Sequence, residues 1–110
     1  MHVAYFSDDF TKHLDKLTKR NKVLKERILS KIEEMMDDPF RNSEELTGRF
    51  KGKRRVYVGQ AGYRLIYSIC EECRAKHYES FNSCFDCQKR DDNSIVFFDV
   101  SHRSKGYERF

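Results

Sequence analysis

The sequence has no tryptophan, only one proline, and no apolar run long enough to cross a membrane. Its first residues also lack the basic segment followed by an apolar segment that a secretory signal requires, so we expect a cytoplasmic protein. No linker rich in glycine, serine or proline interrupts the 110 residues, and no internal repeat is visible. We therefore expect a single domain over residues 1–110, with a modest core between two layers of secondary structure.

Negative charge is absent from the part of the chain where positive charge is concentrated. Between Arg49 and Tyr67 there are six cations and no acidic residue, although the net charge of the whole chain is only +4. Such clustering is typical of a surface that binds a polyanion. The alternative is a solvated segment whose charges only keep the protein soluble. The six cations are Arg49, Lys51, Lys53, Arg54, Arg55 and Arg64.

Arg64 is the one charge within an otherwise uncharged strand pattern from Tyr63 to Ile69. Both alternating faces of this pattern carry apolar residues, as expected for a central strand. A guanidinium group is costly in such a place unless it is paired or reaches a wet cleft. We expect Arg64 to bind an anion or to act in catalysis, and the alternative is a buried structural ion pair.

The N-terminal third of the chain predicts a short strand followed by two amphipathic helices. The strand covers 2–6, and Ser7 or Asp8 can cap the first helix. Asn21 separates this helix from the second, which Pro39 stops after two aspartates. One face of each helix should be buried against a sheet. Its apolar positions are Phe10, Leu14, Leu17, Leu24, Ile28, Ile32, Met35 and Met36.

The rest of the chain predicts an antiparallel meander that completes an α+β fold. Strands are expected over 55–59, 63–70 and 95–100, and the glycine-bounded segment 59–62 can form the tight turn between the first two. A cysteine-bearing insertion, 70–87, separates the last two strands. We expect the helices to pack on one face of the sheet and the other face to be free for a ligand.

Four segments carry a resemblance to a known family. They are Leu-Thr-Gly at 46–48, the basic strand at 53–59, Gly-Tyr-Arg-Leu-Ile-Tyr at 62–67 and His-Arg-Ser-Lys-Gly-Tyr at 102–107. With the two helices, they resemble the RelE/ParE toxin superfamily of toxin–antitoxin pairs. The resemblance implies a RelE-like fold and a ribosome-dependent endoribonuclease that cleaves mRNA and is held inactive by a cognate antitoxin. We expect that antitoxin to lay a helix across the helical face or the basic cleft.

The implied reaction is attack of a ribose 2′-hydroxyl on the adjacent phosphate, which requires a base, an acid and cations around the phosphorane. By position, the resemblance assigns Arg64 to the scissile phosphate and Arg103 to a second phosphate contact. His102 or Tyr107 is the candidate acid or base, and Glu44 matches a glutamate that some relatives use as the base. The candidate RNA-binding cations are Lys51, Lys53, Arg54 and Arg55.

The sequence departs from the family pattern in two places. Arg55 and Tyr57 occupy a strand face on which some family nucleases carry two lysines, and arginine is a poor base. If the last strand continues through His102 and Arg103, their side chains point to opposite faces and only one reaches the phosphate. A similar ending occurs in relatives that inhibit DNA gyrase. A gyrase inhibitor that cuts nothing and an inactive, zinc-stabilised RNA-binding relative are therefore the alternatives.

All four cysteines lie in the insertion, as two C-x2-C pairs separated by ten residues. Two such pairs are typical of a structural zinc knuckle, which has no open coordination position for catalysis. His77 is a possible substitute ligand, and two disulfides are the alternative. We expect the zinc to order a polar segment that has little apolar surface, and the insertion to extend a sheet edge or to contact the ribosome or the antitoxin. The predicted ligands are Cys70, Cys73, Cys84 and Cys87.

Overall fold

The computed structural model describes residues 1–82, 84 and 87–105, and these form one five-stranded sheet and four α-helices. The strands are β1 (Val3–Phe6), β2 (Glu44–Glu45), β3 (Arg54–Val58), β4 (Tyr63–Ile69) and β5 (Ser94–His102). The helices are α1 (Asp8–Thr18), α2 (Lys22–Met35), α3 (Cys70–Ala75) and α4 (Glu79–Asn82). The strand order is β1-β5-β4-β3-β2, with β1 parallel to β5 and every other pair antiparallel.

The two long helices begin at side chains that cap them. The Ser7 hydroxyl accepts a hydrogen bond from the backbone nitrogen of Phe10 at 3.0 Å, and two aspartates in the first turn of α1 suit its positive end. The Asn21 side chain caps α2 in the same way, through the backbone nitrogen of Leu24 at 3.0 Å. α2 ends at Met35, before the proline, so two consecutive long helices follow β1.

The main core lies between the helices and one face of the sheet. Alternation along β4 directs Leu65, Tyr67 and Ile69 to this face, where all three are fully buried. The helices contribute Phe10 and Ile28, which are also buried. Each such side chain contributes about 1.5–3 kcal/mol when it leaves water, so this layer supplies most of the stability. The predicted α+β fold, with two helices on one face of a sheet, is therefore confirmed.

The strands differ from the prediction at the edges of the sheet. Glu44 and Glu45, for which the sequence predicts no strand, form the two-residue strand β2 and pair with Arg55 and Arg54. β5 extends two residues further than predicted, to His102, and has a register shift opposite Ile66 and Tyr67. These features depend on cross-strand partners, which local alternation does not encode.

The insertion is not the knuckle hairpin that the sequence suggests. α3 begins at Cys70, directly after β4, and α4 follows after a short turn. Asn82, in α4, donates a hydrogen bond to the Gly52 carbonyl at 3.1 Å, so the insertion packs on the loop before β3. Ser68 and Val96 lie nearby on the face away from α1 and α2, and both are buried. The expectation that this face is wholly free is therefore corrected.

No helix within the described residues is both long and apolar enough to span a membrane.

Candidate functional site

The candidate site lies on the face of the sheet that points away from α1 and α2, which we call the open face. Leu65 and Tyr67 face the helices, and side chains alternate along a strand, so Arg64 and Ile66 face the other way. The strand register places Tyr57 on one side of Arg64 and Ser101 on the other. The three side chains form a row across β3, β4 and β5, with about 5 Å between neighbouring strands.

Arg64 is at the centre of this row and is only 4% exposed. It also has an interaction within the chain, so its charge is not left isolated in the sheet. Its placement suits both of the roles predicted for it, because the side chain lies on the open face and is nevertheless largely enclosed. Contact with a phosphate requires that its neighbours leave the guanidinium group accessible from the open face.

At the β3 side, Tyr57 ends the row and Arg55 lies next to it on the same strand face. Tyr57 is 39% exposed, and the Arg55 guanidinium lies 5.4 Å from the centre of its ring. Glu44, the predicted base, forms an ion pair with Arg55 across β2 and β3 and is exposed. To act as the base, the Glu44 carboxylate would have to accept the substrate proton while it also contacts the Arg55 guanidinium group. The structure thus brings Glu44, Arg55 and Tyr57 together beside Arg64.

His102 and Arg103 lie together at the end of β5, against Gly62, and the His102 ring lies 5.1 Å from the ring of Tyr63, its partner on β4. The strand ends at His102 and a 3-10 turn begins at Arg103, so the two side chains do not diverge as a continuing strand would require. Gly62 has a φ of +88°, and a Cβ atom there would lie 2.8 Å from His102 Nε2 and 3.1 Å from Arg103 Nε. The strand does not continue through Arg103, so the condition for the predicted divergence is not met, and which of the two reaches the phosphate stays a prediction.

The His102 ring is held at both nitrogens. Nε2 donates to the Ala61 carbonyl at 2.9 Å, and Nδ1 accepts from the backbone nitrogen of Ser104 at 3.2 Å. This arrangement assigns the proton to Nε2 in the neutral ring. His102 would have to exchange one of these bonds for the substrate in order to act as an acid or base. Tyr107, the other candidate, lies outside the described residues.

Lys53 is buried rather than available for RNA, with 6% of its surface exposed. Its Nζ atom donates to Asn82 Oδ1 at 2.9 Å and lies 4.8 Å from the centre of the Phe98 ring. Burial lowers the pKa of Lys53, whereas the nearby Cys84 and Cys73 act in the opposite direction. The prediction of an exposed RNA-binding lysine is corrected, because the insertion covers this position.

Arg54 is likewise engaged by the insertion. It donates to both carboxylate oxygens of Glu72, at 2.7 and 2.8 Å, and stacks near Phe40. Burial alone would raise the pKa of Glu72, but hydrogen bonds from Arg54 and Lys76 hold it below its ordinary value. Arg54 is in phase with Val56, which is buried against the helices, and this signal could have excluded it from the RNA-binding set. Among Arg64, Arg103 and the cations between residues 49 and 55, Arg49, Lys51 and Arg103 are exposed and Arg55 is half-buried.

Sequence reasoning did not single out Ser101 or Asp99. Both are 2% exposed on β5, where Ser101 pairs with Arg64 in the row and Asp99 pairs with Ile66. Asp99 bonds to His13 on α1, which gives that histidine a structural contact. Their positions follow from the pairing of β4 with β5 and the shift in its register, so no local motif could have found them.

The four cysteines are all free thiols. Cys70 and Cys73 are buried, and Cys84 and Cys87 are half-buried. Burial raises the pKa of Cys84 to about 11, and the other three thiols add to that rise. Arg74, which follows Cys73, donates to the Cys87 carbonyl at 2.7 Å, so the two pairs lie close together. Even so, no three histidine, cysteine or acidic side chains are grouped closely enough to hold a metal in the described part of the chain.

The chain is similar in fold to solved toxin structures. It matches the DinJ–YafQ toxin–antitoxin complex of Escherichia coli with a TM-score of 0.63 at 14% identity, covering 96% of this chain and 97% of the other. The YoeB–YefM complex of Staphylococcus aureus gives 0.61 at 13% identity, with 93% and 97% covered. The RelBE2 complex of Mycobacterium tuberculosis gives 0.56 at 20% identity, with 93% and 98% covered.

The sequence itself provides the evidence for a family. No curated protein matches it significantly. A family profile described as "ParE toxin of type II toxin-antitoxin system, parDE" matches residues 4–78, which is more than half of the chain. This match includes both long helices, the basic segment and the strand that carries Arg64. The chain therefore belongs to the ParE toxin family of type II toxin–antitoxin systems.

Proposed function

We propose that this toxin is an endoribonuclease that cleaves mRNA on the ribosome and so inhibits translation. The observation that carries the proposal is the composition of the open face. Arg64 lies at its centre, with an exposed Tyr57 and a half-buried Arg55 beside it, and His102 and Arg103 meet nearby at the end of β5, where His102 packs against Tyr63. This set offers cations for a phosphate and several groups that can transfer a proton.

The reaction would form a bond between the ribose 2′-oxygen and phosphorus and break the bond from phosphorus to the 5′-oxygen. The 2′-hydroxyl proton would pass to a base, and an acid would protonate the departing 5′-oxygen. Arg64 and Arg103 would stabilise the charge on the phosphorane. Glu44 and His102 remain the candidates for proton transfer within the described residues. Tyr57 adds an exposed ring on which an RNA base could stack.

The second candidate function is inhibition of DNA gyrase without cleavage of RNA. The observation that favours it is the ParE description of the matching family. Two features of the site would then have other roles. The bonds at both nitrogens of His102 would be purely structural, and the exposed cations would contact a protein or DNA. An RNA-binding relative without activity would use the same cations.

Mapping of 5′ ends in a translating extract separates these functions. We expect new mRNA ends at codon-phased positions when the toxin is present, and we expect none when ribosomes are omitted. Reporter RNA that stays intact with folded toxin would contradict the ribonuclease proposal. Stabilised double-strand breaks in plasmid DNA, formed with purified gyrase, would then identify the second function.

We further propose that the partner is a cognate antitoxin. Three structural neighbours are toxin–antitoxin complexes. This chain offers a groove of about 560 Å³ between α2 and the end of β3, with Val23 and Val58 among its apolar residues. Val23 is 58% exposed, which suits the apolar face of a partner helix. Co-purification of the toxin with the small product of a neighbouring gene, and its loss in Val23→Asp, would support this partner.

A further inference from the structure

The two cysteine pairs of the insertion are held together by an arginine. Arg74 directly follows Cys73, and its Nη2 atom donates to the Cys87 carbonyl at 2.7 Å and to the Arg90 carbonyl at 2.5 Å. Its Nη1 atom donates to Asp92 at 2.7 Å. The side chain that leaves the first pair therefore fixes the backbone of the second pair beside it. Two sequence motifs separated by ten residues thus meet at one place.

The first pair is preorganised. Cys70 and Cys73 are three residues apart on α3, which places both thiols on the same side of the helix, and both are buried. Asn82 donates from Nδ2 to the Cys73 sulfur at 3.2 Å. An amide that donates to a sulfur in this way is the kind of contact that orients a thiolate ligand toward a metal.

We propose that Cys70, Cys73, Cys84 and Cys87 together bind one structural Zn²⁺ ion. Thiolates are preferred zinc ligands, and four of them close the coordination shell, so the ion would have no position for a substrate. The described residues do not contain a finished cage. Metal binding would therefore draw Cys84 and Cys87 onto the fixed pair on α3, and four thiol protons would be released to solvent.

The charges around the cysteines suit such a site. A zinc ion with four thiolates carries a net charge of −2, which is costly to bury without nearby cations. Arg74 contacts the backbone of the second pair, and Lys53 contacts Asn82, which in turn contacts Cys73. The same chain of contacts links the metal to the loop before β3. We infer that zinc holds the insertion over the part of the open face that contains Ser68 and Val96.

The test uses untagged, full-length protein purified under reducing conditions. Elemental analysis should give one zinc per chain, and replacement by Co²⁺ should give the thiolate-to-cobalt charge-transfer band and the strong visible bands of a tetrahedral sulfur site. Chelation should make all four thiols reactive toward an alkylating reagent, and added zinc should protect them again. Absence of zinc from reduced and folded protein that also fails to bind Co²⁺ would overturn the proposal.

Two variants make the test specific. Cys84→Ser should remove the tetrahedral cobalt spectrum, whereas His77→Asn should keep both the spectrum and the stoichiometry, because His77 is not a ligand in this account. An asparagine tolerates the positive φ of 58° at that position. An unchanged cobalt spectrum in Cys84→Ser, or a loss of zinc in His77→Asn, would contradict the four-cysteine site. A wild-type mass lower by four hydrogens would identify two disulfides and would also overturn it.

Discussion

Arg54 and Lys53 are cations that each bond to a side chain of the insertion. Arg54 is held by Glu72 and Lys53 by Asn82. Partly buried charges of this kind add modest net stability when paired, and removal of one partner is costly because the other charge stays behind. These side chains therefore connect the insertion to the sheet through charge rather than through a large apolar contact.

The pairing of Glu72 with Arg54 makes stability depend on pH. The pKa of Glu72 is below its ordinary value of 4.5, so the folded chain binds this proton less readily than the unfolded chain. The stabilisation is therefore fully present above pH 4.5 and is lost as the pH falls through the lowered folded value. We expect Glu72→Gln to reduce the free energy of unfolding at neutral pH by about 1.5–3 kcal/mol, measured by urea denaturation.

The difference between wild type and Glu72→Gln should shrink as the solution becomes acidic. Glu71→Gln is the matched control, because Glu71 is the exposed neighbour on the same helix. Its unfolding free energy should follow that of the wild type at every pH. A constant difference between wild type and Glu72→Gln down to the acid transition would show that the carboxylate charge is not what stabilises the pair.

Gly62 supports the candidate site by lacking a side chain. In Gly62→Ala the new Cβ atom would meet His102 and Arg103, whereas in Gly59→Ala nothing lies within 4 Å of it. Both positions have positive φ angles, so both variants should lose about 1 kcal/mol of stability from backbone strain. Only Gly62→Ala should also displace the two side chains and lower RNA cleavage, as measured from the rate of reporter cleavage. Equal rates in the two variants would contradict a role for this end of the site.

At the scale of elements, α4 and the loop before β3 form a unit held by Asn82. Its amide bonds to Lys53, to the Gly52 carbonyl and to the Cys73 sulfur. A Cβ atom at Gly52 would lie 2.8 Å from the same amide, which shows how closely the two segments approach. The insertion is thus integrated into the site rather than projecting from it.

A double-mutant cycle measures that connection. Asn82→Ala should destabilise the protein by about 1–3 kcal/mol, because it leaves the buried Lys53 ammonium without its amide partner. Lys53→Met removes the charge and keeps a long apolar side chain beside Phe98. We expect the second change to cost little in the Asn82→Ala background, with a coupling energy of about 0.5–3 kcal/mol from urea denaturation. Additive effects would show that the two side chains do not stabilise each other.

Local pattern predicted the long elements and failed for the short ones. The helical stripes of α1 and α2 and the apolar run of β4 are strong signals, because each buries one or both faces. β2 has only two residues and depends on Arg54 and Arg55 as partners. α3 was missed because a spacing of three fits one turn of a helix as well as a metal-binding hairpin.

The candidate site was predictable in part. The row through Arg64 follows from alternation in two strands joined by a short turn, and both are visible in the sequence. Arg54 could have been excluded by its phase with Val56. The burial of Lys53 could not have been predicted, because Asn82, the residue that covers it, is 29 positions away in the sequence. The approach of His102 to Arg103 depends on a backbone turn at the end of a strand, which no side-chain pattern marks.

At the scale of the whole molecule, the exposed positive charge is smaller than the sequence indicates. Of the six cations between residues 49 and 67 only Arg49 and Lys51 are exposed, Arg103 is exposed as well, and Arg55 is half-buried and paired with Glu44. Such charges would guide a polyanion to the site over a distance of about 10 Å at moderate salt. The exposed cations would then attract RNA through charge alone, and Arg64 would contact one particular phosphate.

The salt dependence of RNA binding distinguishes exposed cations from buried ones. A 2′-O-methyl RNA cannot undergo the proposed reaction, so its binding can be measured at equilibrium. Lys51→Ala should reduce the slope of log affinity against log salt by about 0.7, the value for one phosphate contact on a single strand. Lys53→Met should leave the slope unchanged, since Lys53 is buried. A larger change in Lys53→Met than in Lys51→Ala would contradict the assignment of the binding surface.

The central claim is that Arg64 contacts the reacting phosphate, and the most direct measurement compares Arg64→Met with Arg20→Ala in 5′-end mapping on translating ribosomes. Methionine keeps most of the buried volume, so the variant should stay folded, and exposed Arg20 controls for the loss of one positive charge. We expect Arg64→Met to lower the cleavage rate about 100- to 1,000-fold and Arg20→Ala to cleave as the wild type does. Wild-type cleavage by folded Arg64→Met would show that Arg64 has only a structural role, and the account would be wrong.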